Sequence, residues 1–65
     1  MNLELINKKI DESDLTINEI IEKMRTSRQV FYEKRKGHVA FTVPEFTALA
    51  DILGMTPEER LEALR

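Results

Sequence analysis

The stretch Thr16-Ile17-Asn18-Glu19-Ile20-Ile21-Glu22-Lys23-Met24, then Arg25-Thr26-Ser27, then Arg28-Gln29-Val30-Phe31-Tyr32-Glu33-Lys34-Arg35-Lys36-Gly37, decides the fold. Thr16 and Glu19 have the Thr-x-x-Glu spacing of a capping box, which satisfies two orphan amide donors at a helix start. Ile17, Ile20, Ile21 and Met24 then recur at i, i+3, i+4 and i+7, one apolar stripe of a 3.6-residue period. The stripe stops at Arg25. Thr26 or Ser27 offers a hydroxyl to cap a second helix. That helix is expected to turn Val30 and Phe31 inward. Gly37 is suited to end it, because glycine enters the left-handed conformation without a steric cost. Two short helices joined by a turn of three or four residues make a helix-turn-helix.

The flanks read as three further helices. Leu3, Ile6 and Ile10 share one face, with Leu5 beside them, and predict a helix over about residues 3–12. Asp11-Glu12-Ser13-Asp14 ends it, and Leu15 is expected to be a buried step into the next helix. After Gly37 comes a short loop, His38-Val39-Ala40-Phe41. Thr42 and Glu45 form a second capping box, with Pro44 in the first turn, where its missing amide costs nothing. Phe46, Leu49, Ala50, Ile52 and Leu53 are the apolar side of that helix, and Gly54 stops it. Thr56 and Glu59 form a third box, with Pro57 at the first helical position and Leu61 and Leu64 further on. The expected fold is a compact all-α domain of five helices spanning residues 1–65.

Size and composition narrow the possibilities. A chain of 65 residues buries only ~60% of its unfolded surface, so its core is small. There is no cysteine, so no disulfide or thiolate–metal site reinforces it. With 42% hydrophobic and 34% charged residues, the chain reads as folded rather than disordered. No apolar run approaches the ~20 residues of a membrane span. Met1-Asn2-Leu3-Glu4-Leu5 lacks the basic and apolar regions of a signal peptide, so the cytoplasm is the expected location.

Charge is unevenly distributed. Residues 1–24 carry net −3, residues 25–38 net +4 and residues 39–65 net −3, within a total of −2. The overall acidity alone argues against nucleic acid. The basic excess, however, falls on the second helix of the helix-turn-helix, the element that would enter a DNA groove.

From Leu15 to Thr56, the order Leu-Thr, Ile-Ile-Glu-Lys-Met, Ser-Arg, Phe-Tyr-x-Lys, Gly, Phe-Thr-x-x-Glu and Leu-Ala-x-Ile-Leu-Gly-Met-Thr resembles the lambda-repressor-like (Cro/XRE) helix-turn-helix family. It is most similar to short phage and prophage regulators of Gram-positive bacteria. The resemblance covers about two-thirds of the chain. It implies a five-helix domain, binding to operator DNA, and a homodimer on a pseudo-palindromic site. Four positions depart from the family pattern. Arg25 stands where glycine is usual, which would force a positive φ on a non-glycine residue. Thr26 replaces an apolar residue, Ile17 a polar one, and Lys34-Arg35 a late apolar position. The stems of Lys34 and Arg35 are expected to lie over the core edge with their charges in water.

The candidate site follows from the chemistry of a recognition helix. Its N-terminal residues meet base edges, and its dipole favours phosphate oxygens there. Arg28 can fork onto guanine O6 and N7, and Gln29 can pair with adenine N6 and N7. Tyr32 or Glu33, one turn on, would reach a further base. Thr26, Ser27, Lys34 and Lys36 are assigned to phosphates. Met55, Leu61 and Leu64 are assigned to a weak homodimer interface, the alternative being that they close the monomer core. His38 is the only histidine, Ser27 has no histidine–carboxylate partner, and no glycine-rich phosphate loop is present. Neither an enzyme nor a cofactor or metal is expected. Two function classes remain: a DNA-binding transcriptional regulator, and a protein-interaction module on the same fold (an antirepressor or antitoxin-like partner) that occupies another regulator. The basic stretch and Arg28-Gln29 favour the first, whereas the acidic total, Ile17 and Glu33 favour the second.

Overall fold

Each helix in the computed structural model, which describes all 65 residues, starts on a side-chain cap. The order is α1 (Leu3–Glu12), α2 (Ile17–Met24), α3 (Arg28–Arg35), α4 (Val43–Leu53) and α5 (Pro57–Leu64), with no strand. The capping boxes at Thr16, Thr42 and Thr56 are all formed in both directions. Ser27, not Thr26, caps α3 by accepting from the Val30 amide at 3.2 Å. Asn2 caps α1 through its side-chain oxygen, 3.1 Å from the Leu5 amide.

Three helices end in one backbone device. After α2, α3 and α4 the chain places Arg25, Gly37 and Gly54 at φ 56°, 86° and 67°. The amide of each left-handed residue and the amide after it return to carbonyls of the last turn. The pairs are Arg25–Glu22 with Thr26–Ile21, Gly37–Lys34 with His38–Glu33, and Gly54–Asp51 with Met55–Ala50. This is the Schellman arrangement, and it satisfies carbonyls that the helix itself leaves open. Gly37 also lies close to α1, since a Cβ there would lie 2.9 Å from Leu3 Cδ1 and the leucine side chain would have to shift.

The core draws on every helix: Ile6 and Ile10, Ile20, Phe31, then Phe46, Leu49 and Ala50, and finally Ala63. Phe41 and Met55, from the connections, complete it. Helix α2 packs on α4 and on α3, and α1 packs on α5. The radius of gyration is 10.6 Å, close to the about 10.7 Å expected of a folded domain of this length. Every buried side-chain polar atom has a partner. No helix is long and apolar enough to cross a membrane.

Two of the capping glutamates also join helices. Glu45 holds the Thr42 amide with Oε1 at 2.8 Å and Lys34 of α3 with Oε2. Glu59 holds the Thr56 amide with Oε1 at 2.9 Å and Lys9 of α1 with Oε2.

Four sequence expectations change. Leu15 is half-buried rather than buried, because it lies in the α1–α2 connection at the edge of the core. Val30 is not inward; it is 42% exposed. Lys34 does not extend its charge into water, because its side chain is buried against Glu45. Met55 lies in the core at 4% exposure, so it is unavailable to an interface, whereas Leu61 and Leu64 are 66% and 48% exposed. Met55 is buried because it is the apolar residue of the three that follow a Schellman ending, and it packs back on the core. The polar Thr26 and His38 at the same place are half-buried and exposed, respectively.

Candidate nucleic-acid interface

Helix α3 has one aromatic anchor and three polar ties. Phe31 is buried, and the edge of Tyr32 packs near it with ring centroids 6.2 Å apart. At the N-terminal end the Arg28 guanidinium donates to the Asn18 side-chain oxygen on α2. At the C-terminal end Arg35 donates from Nε to Asn7 Oδ1 at 2.6 Å and from Nη2 to Asp11 at 3.1 Å. Asn7 returns a hydrogen bond to the Arg35 carbonyl at 3.0 Å. Between these ends, Lys34 meets Glu45 of α4. The Lys34 ammonium holds the Glu45 carboxyl below the usual carboxylate range, and the Thr42 amide adds to the effect.

These ties fix the rotation of α3 and so choose its outward face. Arg28, Gln29, Tyr32, Glu33 and Lys36 fall at i, i+1, i+4, i+5 and i+8, a single face of a helix. Arg28, Gln29 and Lys36 are exposed, and Tyr32 and Glu33 are half-buried. All four residues assigned to base edges therefore share one side. Ser27 is exposed, and its oxygen already serves the cap, while Thr26 is half-buried beside it. Lys36 remains free for a phosphate. Lys34 does not, since burial at 8% exposure and the Glu45 ion pair remove it from the phosphate set.

The charge on this face is smaller than the sequence total of +4 over residues 25–38. Lys34 and Arg35 are neutralised within the fold by Glu45 and Asp11. Arg25, Arg28 and Lys36 make no ion pair. Glu33, the one acid on the face, lies 2.8 Å from His38 Nδ1. Sequence reasoning missed Val30, exposed at the same end as Arg28 and Gln29, and Asn18, which holds Arg28. Helical periodicity alone carried no signal for either. No three potential metal ligands converge anywhere in the chain.

No family model matches the chain, and neither a curated protein nor a solved structure matches it.

Proposed function

We propose that this protein is a sequence-specific DNA-binding transcriptional regulator, a Cro-like switch protein with a lambda-repressor-like helix-turn-helix made by α2 and α3. One observation carries the reading. Arg28, Gln29, Tyr32, Glu33 and Lys36 share the outward face of a helix whose other basic residues, Lys34 and Arg35, are tied inward. A helix placed this way enters the major groove with its first turn toward the bases. Arg28, steadied by Asn18, forks onto a guanine, Gln29 pairs with an adenine, and the Val30 methyls fit a thymine methyl. Tyr32 and Glu33 reach a further base, the glutamate by accepting from cytosine N4. Arg25, Thr26, Ser27 and Lys36 meet phosphates on either side.

One copy offers few such contacts, so two copies reading a palindrome about one DNA turn apart are proposed. The exposed Leu61 and Leu64 on α5 are the surface for that pairing. Met1, also exposed, precedes Asn2, whose amide donates to the Ala63 carbonyl of α5 at 2.6 Å.

A salt titration on random duplex tests the reading. Each neutralised phosphate adds about −0.9 to the slope of log K against log salt, so Arg25 and Lys36 give about −2 per copy. A slope near zero would favour the second reading, a protein-interaction module whose α3 face meets another regulator instead. The observation on that side is Glu33, an acid kept on the same face.

A further inference from the structure

A groove lies at the far end of α4 from α3. Its walls are Leu15, from the α1–α2 connection, and Ile52 and Leu53, from the last turn of α4. These three pack against the core and remain half-buried rather than covered. The groove has a volume of about 780 Å³, within the ~300–1,000 Å³ range of clefts that hold ligands. It is open along its length, and Gly54 at its end has nothing within 4 Å of where a side chain would begin.

Its rim is acidic. Glu12, Asp14 and Asp51 line it, with Lys23 the single base. Asp51 is partly balanced by Arg60 at 2.9 Å. Glu12 and Asp14 make no ion pair, unlike Asp11, Glu45 and Glu59, which are bound to bases of neighbouring helices. An apolar floor beside the unpaired carboxylates of Glu12 and Asp14 is complementary to apolar side chains flanked by lysine or arginine, and it repels phosphate. Asp51 is also six residues beyond Glu45 on α4, about 9 Å along the helix axis. An occupant here need not cover the outward face of α3.

We infer that this groove is a docking site for a segment of a partner protein that presents large apolar side chains beside lysine or arginine. A second copy of the chain is a poorer occupant. Its basic stretch exposes only Val30, which is small for a floor of leucine and isoleucine. Its exposed leucines Leu61 and Leu64 lie on α5, where Arg60 and Arg65 are already paired with Asp51 and Glu62. The site stands independently of the DNA reading.

The test is a nuclear magnetic resonance titration of the labelled chain with a synthetic amphipathic peptide, leucine on one face and lysine on the other. Saturable shifts should cluster at the amides of Leu15, Ile52, Leu53 and Gly54. A peptide with glutamate in place of lysine should cause none. Asp14→Lys should weaken the lysine peptide by about tenfold, while Glu4→Lys, at an unpaired acid outside the groove, should leave it unchanged. Circular dichroism checks that both variants fold. Three results would overturn the proposal: shifts spread over all acidic residues, equal losses in the two variants, or no binding at millimolar peptide. Sedimentation that shows self-association of the free chain, abolished by Asp14→Lys, would assign the groove to a second copy and overturn the partner as stated.

Discussion

The turn after α2 and the turn after α4 have the same backbone and different residues. Arg25 sits at φ 56° and ψ 44°, and Gly54 at φ 67° and ψ 33°, each closing a helix with the same pair of hydrogen bonds. Gly54 adopts this conformation freely, whereas a residue with a Cβ is strained there. The two turns also lead into different surroundings. Met55 is buried, and the next helix is secured by a capping box and by the Arg60 side chain on the Met55 carbonyl at 3.0 Å. Thr26 is only half-buried, and the next helix is held by Phe31 and by side-chain pairs from three other helices. One turn is built for stability. The other carries strain and a positive charge beside the face proposed to meet DNA, the place where strained backbone tends to be retained.

The largest break in this comparison comes from the buried side. Met55→Ala should cost about 3 kcal/mol, because it opens a cavity behind the α4–α5 turn. Leu61→Glu, on the exposed side of α5, should change stability by less than about 0.5 kcal/mol. It should, however, make the proposed dimer sediment as a monomer. Denaturant unfolding and sedimentation check the pair. An unfolded Leu61→Glu chain would return Leu61 to the core and end the dimer surface.

The next effect is on the polar ties. Glu45→Gln keeps an acceptor for the Thr42 amide but leaves the buried Lys34 without its counter-charge, and should cost about 2 kcal/mol. The same tie gives a pH dependence. The folded-state pKa of Glu45 is depressed, first by Lys34 and then by the Thr42 amide. Its contribution is therefore complete above the unfolded value near ~4.3 and is lost as pH falls through the lower folded value. Thermal melts from neutral to acidic pH should show the parent losing stability more steeply than Glu45→Gln. Parallel profiles would mean that the ion pair contributes nothing.

The remaining stability effects concern the turns themselves, and they should be opposite in sign. Gly54→Ala meets no neighbouring atom, so its cost of about 1 kcal/mol is conformational alone. Arg25→Gly should gain a similar amount, about 1 kcal/mol, by releasing the same strain. It should also weaken binding to all duplexes alike, since one phosphate contact is lost. A destabilised Arg25→Gly chain would show that the arginine side chain stabilises the turn more than its backbone strains it.

These two turns also mark where sequence is informative. The helix starts at Thr16, Thr42 and Thr56 were legible because a capping box is completed within four residues, and Gly54 was legible as a stop for the same local reason. The left-handed Arg25 was legible only from its position in the family pattern. The outward face of α3 could be read from its starting point and the helical period, except for the exposed Val30. Which of its bases stay free could not. Lys34 is a residue type seldom buried, and its burial depends on Glu45, eleven positions away in the chain. Arg35 depends on Asp11 and Asn7, 24 and 28 positions away. Charge counted along the chain includes both bases, whereas charge exposed on the folded surface includes neither.

The most direct measurement is the affinity of Arg28→Ala for a duplex selected by the parent protein from a random DNA pool, read by fluorescence anisotropy beside Lys36→Ala. Arg28→Ala should lose about 1–3 kcal/mol on the selected duplex and relax the preference at one base pair, as a lost bidentate contact requires. Lys36→Ala should weaken selected and random duplexes equally and reduce the salt slope by about one. If Arg28→Ala binds the selected duplex as tightly as the parent does, or if the pool yields no preferred sequence, α3 is not a reader of DNA.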